Sequence, residues 1–186
     1  MTNLKVNQEG KVKLFLSVSV LVYSVYVSIA VNSIFPFIAM FFSSIGDIAI
    51  MASRGALTGK KENSFDWGVI AFSAAHTVYV YAMREERTVF LAIAISLFIA
   101  VLILTKIKPA DKKWNYIPYT LLLFTSFANT WFFAILAGIG MVLFLSSDLI
   151  LSICEEKSPK WQIPIWATYI PAQILILSSF MLVKAA

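Results

Sequence analysis

The chain has 186 residues, 60% of them hydrophobic and 13% charged, with a net charge of +5 and a mean hydropathy of +0.82. A soluble domain is about half apolar and about a quarter charged, so this composition excludes one and indicates an integral membrane protein. The apolar runs are about 17–20 residues long, the length of membrane helices, which excludes the roughly 10-residue alternating strands of an outer-membrane barrel.

Seven spans are expected in chain order: about 13–32, 34–52, 67–83, 88–105, 115–129, 131–151 and 163–183. The first run follows Lys13 with no small-residue cleavage site after it, so it reads as a first span or signal anchor. Asn32-Ser33 with Pro36 sets a tight turn before the second span, and the polar stretch SRGALTGKKENSFD separates the second from the third. REER divides spans three and four, and KIKPADKKWN divides four and five. A break near Asn129-Thr130 divides five and six, and CEEKSPKWQIP precedes the last span. All of this is one transmembrane domain, residues 1–186, and no loop is long enough for a soluble one.

Seven spans sort the basic residues unevenly. Lys5, Lys11, Lys13, Arg54, Lys60, Lys61, Lys106, Lys108, Lys112, Lys113, Lys157 and Lys160 fall on one side; Arg84, Arg87 and Lys184 fall on the other. Lysine and arginine favour the cytosolic side, so a cytosolic N-terminus is expected. The positive charge therefore speaks to topology and not to nucleic acid. The single cysteine, Cys154, excludes an internal disulfide, and one His with one Cys cannot build an ordinary zinc site. No glycine-rich phosphate loop, HExxH or GxSxG motif is present.

Of the ten acidic residues only Asp47 and Asp148 lie within spans, as does the single histidine, His76. Ionisable groups inside a membrane face the bundle interior or a wet cavity and are functional candidates. By helical rise both aspartates sit roughly 5–8 Å inside the lysine-rich boundary. Tyr169 lies at a similar level, Gln173 one turn deeper on the same face, and His76 about 14 Å in, flanked by Ser73 and Tyr79. Spans two, three, six and seven are thus expected to converge on a polar cavity. Each residue also has a plainer reading. An aspartate near a helix end can be solvated, a lone buried histidine is commonly a helix–helix hydrogen bonder, and Tyr169 suits an interfacial belt.

The stretches SIGDIAIM, FDWGVIAFSAAHTVYVYAM, GIGMVLFLSSDLIL and ATYIPAQILILSSF, in this order, resemble the YhhN family of membrane proteins. The family pattern is a Gly-Asp helix, a Phe…His…Tyr helix, a Ser-Asp helix and a final Thr-Tyr…Gln helix, covering most of residues 35–180. Some members are lysoplasmalogenases, which hydrolyse the vinyl ether bond of a lysophospholipid to a fatty aldehyde and a glycerophospho-alcohol. The resemblance implies that Asp47 and Asp148 are catalytic and that His76, Tyr79, Tyr169 and Gln173 support them. Lys13 matches a family lysine that would meet the substrate phosphate, with Leu14 in place of a proline. Members usually have eight spans; only 46 residues precede Asp47, so one N-terminal span is expected to be missing. No cofactor or metal is implied. The partner is a membrane lysophospholipid, and the compartment is the endoplasmic reticulum in a eukaryote or the plasma membrane in a bacterium.

Vinyl ether hydrolysis begins with proton transfer to carbon and gives an oxocarbenium ion, so it needs one acid and one anion or base. The sequence leaves open which aspartate is the acid and which the anion; the slightly deeper placement of Asp47 favours it as the acid. Two other classes use the same residues differently: a proton-coupled transporter of lysolipids or small molecules, and a non-catalytic structural membrane protein.

Overall fold

In the computed structural model, the chain first turns back at Asn32, which adopts a left-handed φ of 53°. Asn is the residue after Gly that best tolerates this conformation at a helix end. The Ser33 amide donates to the Ser28 carbonyl, and the Phe37 amide donates to the Ser28 hydroxyl at 3.0 Å, so one serine helps close the first helix and open the second. Pro36 stands in the first turn of that second helix, where a missing N–H is harmless.

Seven helices follow in order: α1 (Gln8–Val31), α2 (Phe35–Ser53), α3 (Phe65–Ala82), α4 (Thr88–Ile107), α5 (Lys112–Phe133), α6 (Ile135–Cys154) and α7 (Gln162–Ala185). The structure describes residues 8–55, 64–83, 88–107, 112–154 and 162–185, and among these there is no strand. Lys5, Lys60, Lys61, Arg84, Arg87, Lys108, Lys157 and Lys160, used in the charge count, lie outside the described residues. The all-α bundle of seven helices matches the reading from hydropathy. By length and composition α1, α2, α4 and α7 can cross a membrane, and α6 holds a shorter apolar stretch, Ile135–Leu151.

One boundary differs from expectation. The break between the fifth and sixth helices falls at Ala134, not at Asn129-Thr130. Both Asn129 and Thr130 are buried, and the Thr130 hydroxyl turns back to the Phe127 carbonyl at 2.9 Å. A side chain that satisfies itself on its own helix does not end that helix.

Adjacent helices contact one another around a closed ring, α1–α2–α3–α5–α6–α7 and back to α1, while α4 lies outside it against α3 and α5. Close approach in the ring depends on small residues. A Cβ on Gly140 would stand 2.9 Å from the Ala172 carbonyl oxygen, so α6 and α7 meet backbone to backbone at that point. Large apolar side chains point outward, Phe15 at 71% and Ile29 at 76% exposure among them, as a lipid-facing surface requires. The buried core instead carries an unusual share of polar groups, including Ser17, Asp47, His76, Ser126 and Gln173.

Candidate functional site

The ends of α2 and α6 fix the depth of the two aspartates. Asp47 lies six residues before Ser53, and Asp148 six residues before Cys154. Each is therefore about 9 Å from the end of its helix, at the helical rise. Tyr169 lies seven residues into α7 and Tyr119 seven residues into α5, at about 10 Å by the same measure. Four ionisable or hydroxyl-bearing residues on four helices thus share one level.

Asp47 is 5% exposed. Its Oδ2 accepts hydrogen bonds from the Ser17 hydroxyl at 2.8 Å and the Tyr169 hydroxyl at 3.1 Å. The Tyr169 oxygen accepts from Gln173 Nε2 at 3.2 Å, and Gln173 Oε1 accepts from the Tyr79 hydroxyl at 3.0 Å. All donors in this chain point the same way, from Tyr79 through Gln173 and Tyr169 to the carboxylate. Such aligned hydrogen bonds polarise one another. The chain ties α1, α2, α3 and α7 together through the middle of the bundle. It straddles Pro171, which lies inside α7 between Tyr169 and Gln173 and removes one backbone donor there.

The other wall is built differently. Asp148 Oδ2 accepts a hydrogen bond from the Tyr119 hydroxyl of α5 at 2.6 Å. His76 stands behind this pair. Its ring centroid is 6.3 Å from that of Tyr119, and it lies edge-on to Phe144 at 4.7 Å. His76 Nδ1 pairs with the Ser126 hydroxyl at 3.3 Å, and Nε2 has no hydrogen-bonding partner among the described residues.

Between the walls is a cavity of about 50 Å³. One water needs about 10–15 Å³ of such space, so the cavity has room for a few waters or for the reacting atoms of a larger molecule whose remainder stays outside. Asp47 and Asp148 both line it, with Lys13, Arg54, Tyr169 and Ser147. The apolar part of the wall is Phe72, Trp166, Ile50 and Leu151 among others. Phe72 is edge-on to Tyr169 at 6.4 Å, and Trp166 is edge-on to it at 5.5 Å, which fixes the phenol ring without using its hydroxyl. Phe72 can stand here because Gly46 precedes Asp47: a Cβ at Gly46 would come within 2.7 Å of the Phe72 ring.

The expected residues are therefore sorted by the structure. Asp47, Asp148, Tyr169 and Lys13 reach the cavity; Gln173 and Tyr79 reach Asp47 through Tyr169. His76, expected deeper than the carboxylates as a support for them, does not line the cavity and packs against Tyr119 and Phe144. Six helices contribute to the site and its hydrogen bonds: beside the four expected to converge and the expected Lys13 of α1, α1 adds Ser17 and α5 adds Tyr119. Ser17, Arg54 and Tyr119 carry no signal that separates them in the sequence from other serines, basic residues at helix ends and interfacial tyrosines.

The fold and site define a membrane helix bundle with paired carboxylates in a small polar chamber near one end. Within that class the assignment is direct: the model of the YhhN family matches residues 11–180, and the chain belongs to the YhhN family. Comparison with curated proteins gives no match, and neither does comparison with solved structures.

Proposed function

We propose that this protein is a lysoplasmalogenase-type hydrolase that cleaves the vinyl ether of a lysophospholipid within the membrane. The observation that carries the reading is that the two membrane-embedded aspartates line one cavity with space for water. Membership of the YhhN family supports the same reading.

The two walls suggest the division of labour. The Tyr79–Gln173–Tyr169 chain and Ser17 all donate toward Asp47, so this carboxylate is held as an acceptor. That reverses the roles expected from depth and gives the acid to Asp148. Asp148, protonated, delivers its proton to the outer vinyl carbon; the double bond's electrons form the new C–H bond, and an oxocarbenium ion results. Asp47 faces the developing positive charge and takes a proton from the water that adds to the carbon. The hemiacetal then collapses. Asp47 returns its proton to the departing ether oxygen while Asp148 takes the hemiacetal hydroxyl proton. Aldehyde and glycerophospho-alcohol leave, and both aspartates regain their starting states. Tyr119 and Tyr169 hold the two carboxyls in place.

Purified protein in detergent, supplied with a lysoplasmalogen, is expected to release fatty aldehyde. Detergent removes the sealed compartments that transport requires, so aldehyde formation separates hydrolysis from lysolipid transport. No aldehyde from well-folded protein would sink the hydrolase reading.

A further inference from the structure

The cavity is not uniform along its depth. Arg54 caps the C-terminal end of α2, seven residues or about two helical turns after Asp47, and so lies about 10 Å nearer the lysine-rich end. Lys13 precedes Ser17 by four residues, on one face of one helix and about 6 Å nearer that end. Both cations line the cavity that the aspartates line. Lys13 is buried to 7% exposure, an expensive position for an ammonium group unless it has a task. The chamber therefore has an outer cationic ring and an inner carboxylate level, with Ile50, Leu151 and Trp166 among its apolar walls. Both cations also have interactions within the protein.

We infer that Arg54 joins Lys13, whose phosphate contact the family resemblance already implies, in a subsite for a phosphodiester headgroup, and that Arg54 is the main phosphate-binding residue. This rests on the hydrolase reading for its consequence but not for its test. In a glycerophospholipid the phosphorus and the sn-1 ether oxygen are five bonds apart, roughly 6 Å when extended at ordinary bond lengths. The outer cations precede the aspartates by about 6–10 Å of helix rise. A phosphate docked on the cations thus brings the sn-1 ether to the carboxylate level. Guanidinium offers a planar pair of donors to two phosphate oxygens, which ammonium does not, and this makes Arg54 the stronger contributor. The inner carboxylates repel an anion, so the phosphate stays at the outer ring. The subsite acts as a ruler: lysophospholipids are taken and phosphate-free alkenylglycerols are discriminated against. The plainer role, that the two cations only balance the charge of the aspartates, makes no such distinction between lipids.

The test uses two saturated ether lipids that cannot be cleaved, 1-O-hexadecyl-glycerophosphoethanolamine and 1-O-hexadecylglycerol, and measures their equilibrium binding to the full chain in detergent. Wild type is expected to bind the phosphate-bearing lipid at least about tenfold more tightly, the scale of a charge-assisted contact. Arg54→Gln is expected to remove most of that preference while leaving 1-O-hexadecylglycerol binding unchanged, and Arg54→Lys to restore part of it. Equal binding of the two lipids by wild type overturns the subsite. So does Arg54→Gln weakening both lipids alike, or leaving the preference intact. Should Arg54→Gln fail to fold, the wild-type comparison and Lys13→Gln still decide. Failure of the hydrolase reading appears separately, as phosphate-dependent binding without aldehyde release from a lysoplasmalogen.

Discussion

The two walls of the cavity hold the same side chain in different ways. On the α2 wall, Asp47 is the end point of a four-residue chain and takes a second hydroxyl from α1. On the α6 wall, Asp148 is met by a tyrosine at 2.6 Å, backed by a histidine that pairs with Ser126. A bundle needing only to neutralise two buried carboxyls has no reason to support them so unequally. Under the proposed mechanism, the difference is what an acid and an anion require: like residues placed in unlike surroundings.

The sharpest way to break the comparison is to remove each carboxyl. Asp47→Asn and Asp148→Asn are each expected to lower aldehyde release by at least about 1,000-fold, within the range that acid–base catalysis supplies, at unchanged membrane expression. Full activity in either variant ends the two-aspartate mechanism. Next in size is the loss of a single tyrosine hydroxyl. Tyr119→Phe and Tyr169→Phe are each expected to lower kcat about 10–100-fold, the value of a hydrogen bond to a charged group. Because the two tyrosines serve different carboxyls, their effects should multiply in the double variant; strong non-additivity in a double-mutant cycle would mean the walls are one network.

Deeper in the Asp47 wall the effects shrink. Gln173→Leu interrupts the chain and should reduce kcat about 3–10-fold, with Tyr79→Phe adding little on top because its acceptor is already gone. If Tyr79→Phe costs as much in the Gln173→Leu background as alone, the chain is not the route by which Tyr79 acts. Ser17→Ala removes one neutral donor, about 1 kcal/mol, and is expected to change activity about fivefold or less. Gly140→Ala tests the scaffold instead: the new methyl meets the Ala172 carbonyl oxygen, so a loss of about 1–3 kcal/mol in stability is expected, read as a lowered unfolding temperature.

The helices were readable because long apolar runs broken by charged or proline-containing segments have few other interpretations. The helix starting at Phe65 and the one ending at Ser53 fall within two residues of where hydropathy put them. Asp47 and Asp148 stood out because a carboxyl in an apolar run is rare. The pairing of Tyr169 with Gln173 at 3.2 Å follows from i, i+4 spacing. What was not readable depends on rotation and partners across the bundle. Ser17 looks like any of several serines on α1, yet the way α1 packs on α2 brings it 2.8 Å from Asp47. Tyr119 sits near a helix end, where tyrosines serve as membrane anchors, and its turn toward Asp148 is set by how α5 packs on α6. His76 stood out by its rarity, yet whether it reaches the cavity depends on how its ring packs against Tyr119 and Phe144, which the sequence does not display.

The closed ring of helices has a consequence for how the protein is made. Ser17, Asp47 and Tyr169 meet at one oxygen although they come from the first, second and last helices of the chain. Synthesis proceeds from the N-terminus, so Asp47 enters the membrane with Ser17 at hand and without Tyr169. Until α7 is released, the second donor to its carboxyl is missing, and the Asp148 wall lacks the facing surface that encloses the cavity. The chamber comes into existence only once α7 has joined the bundle. A nascent chain stopped before residue 162 holds both aspartates and no enclosed cavity.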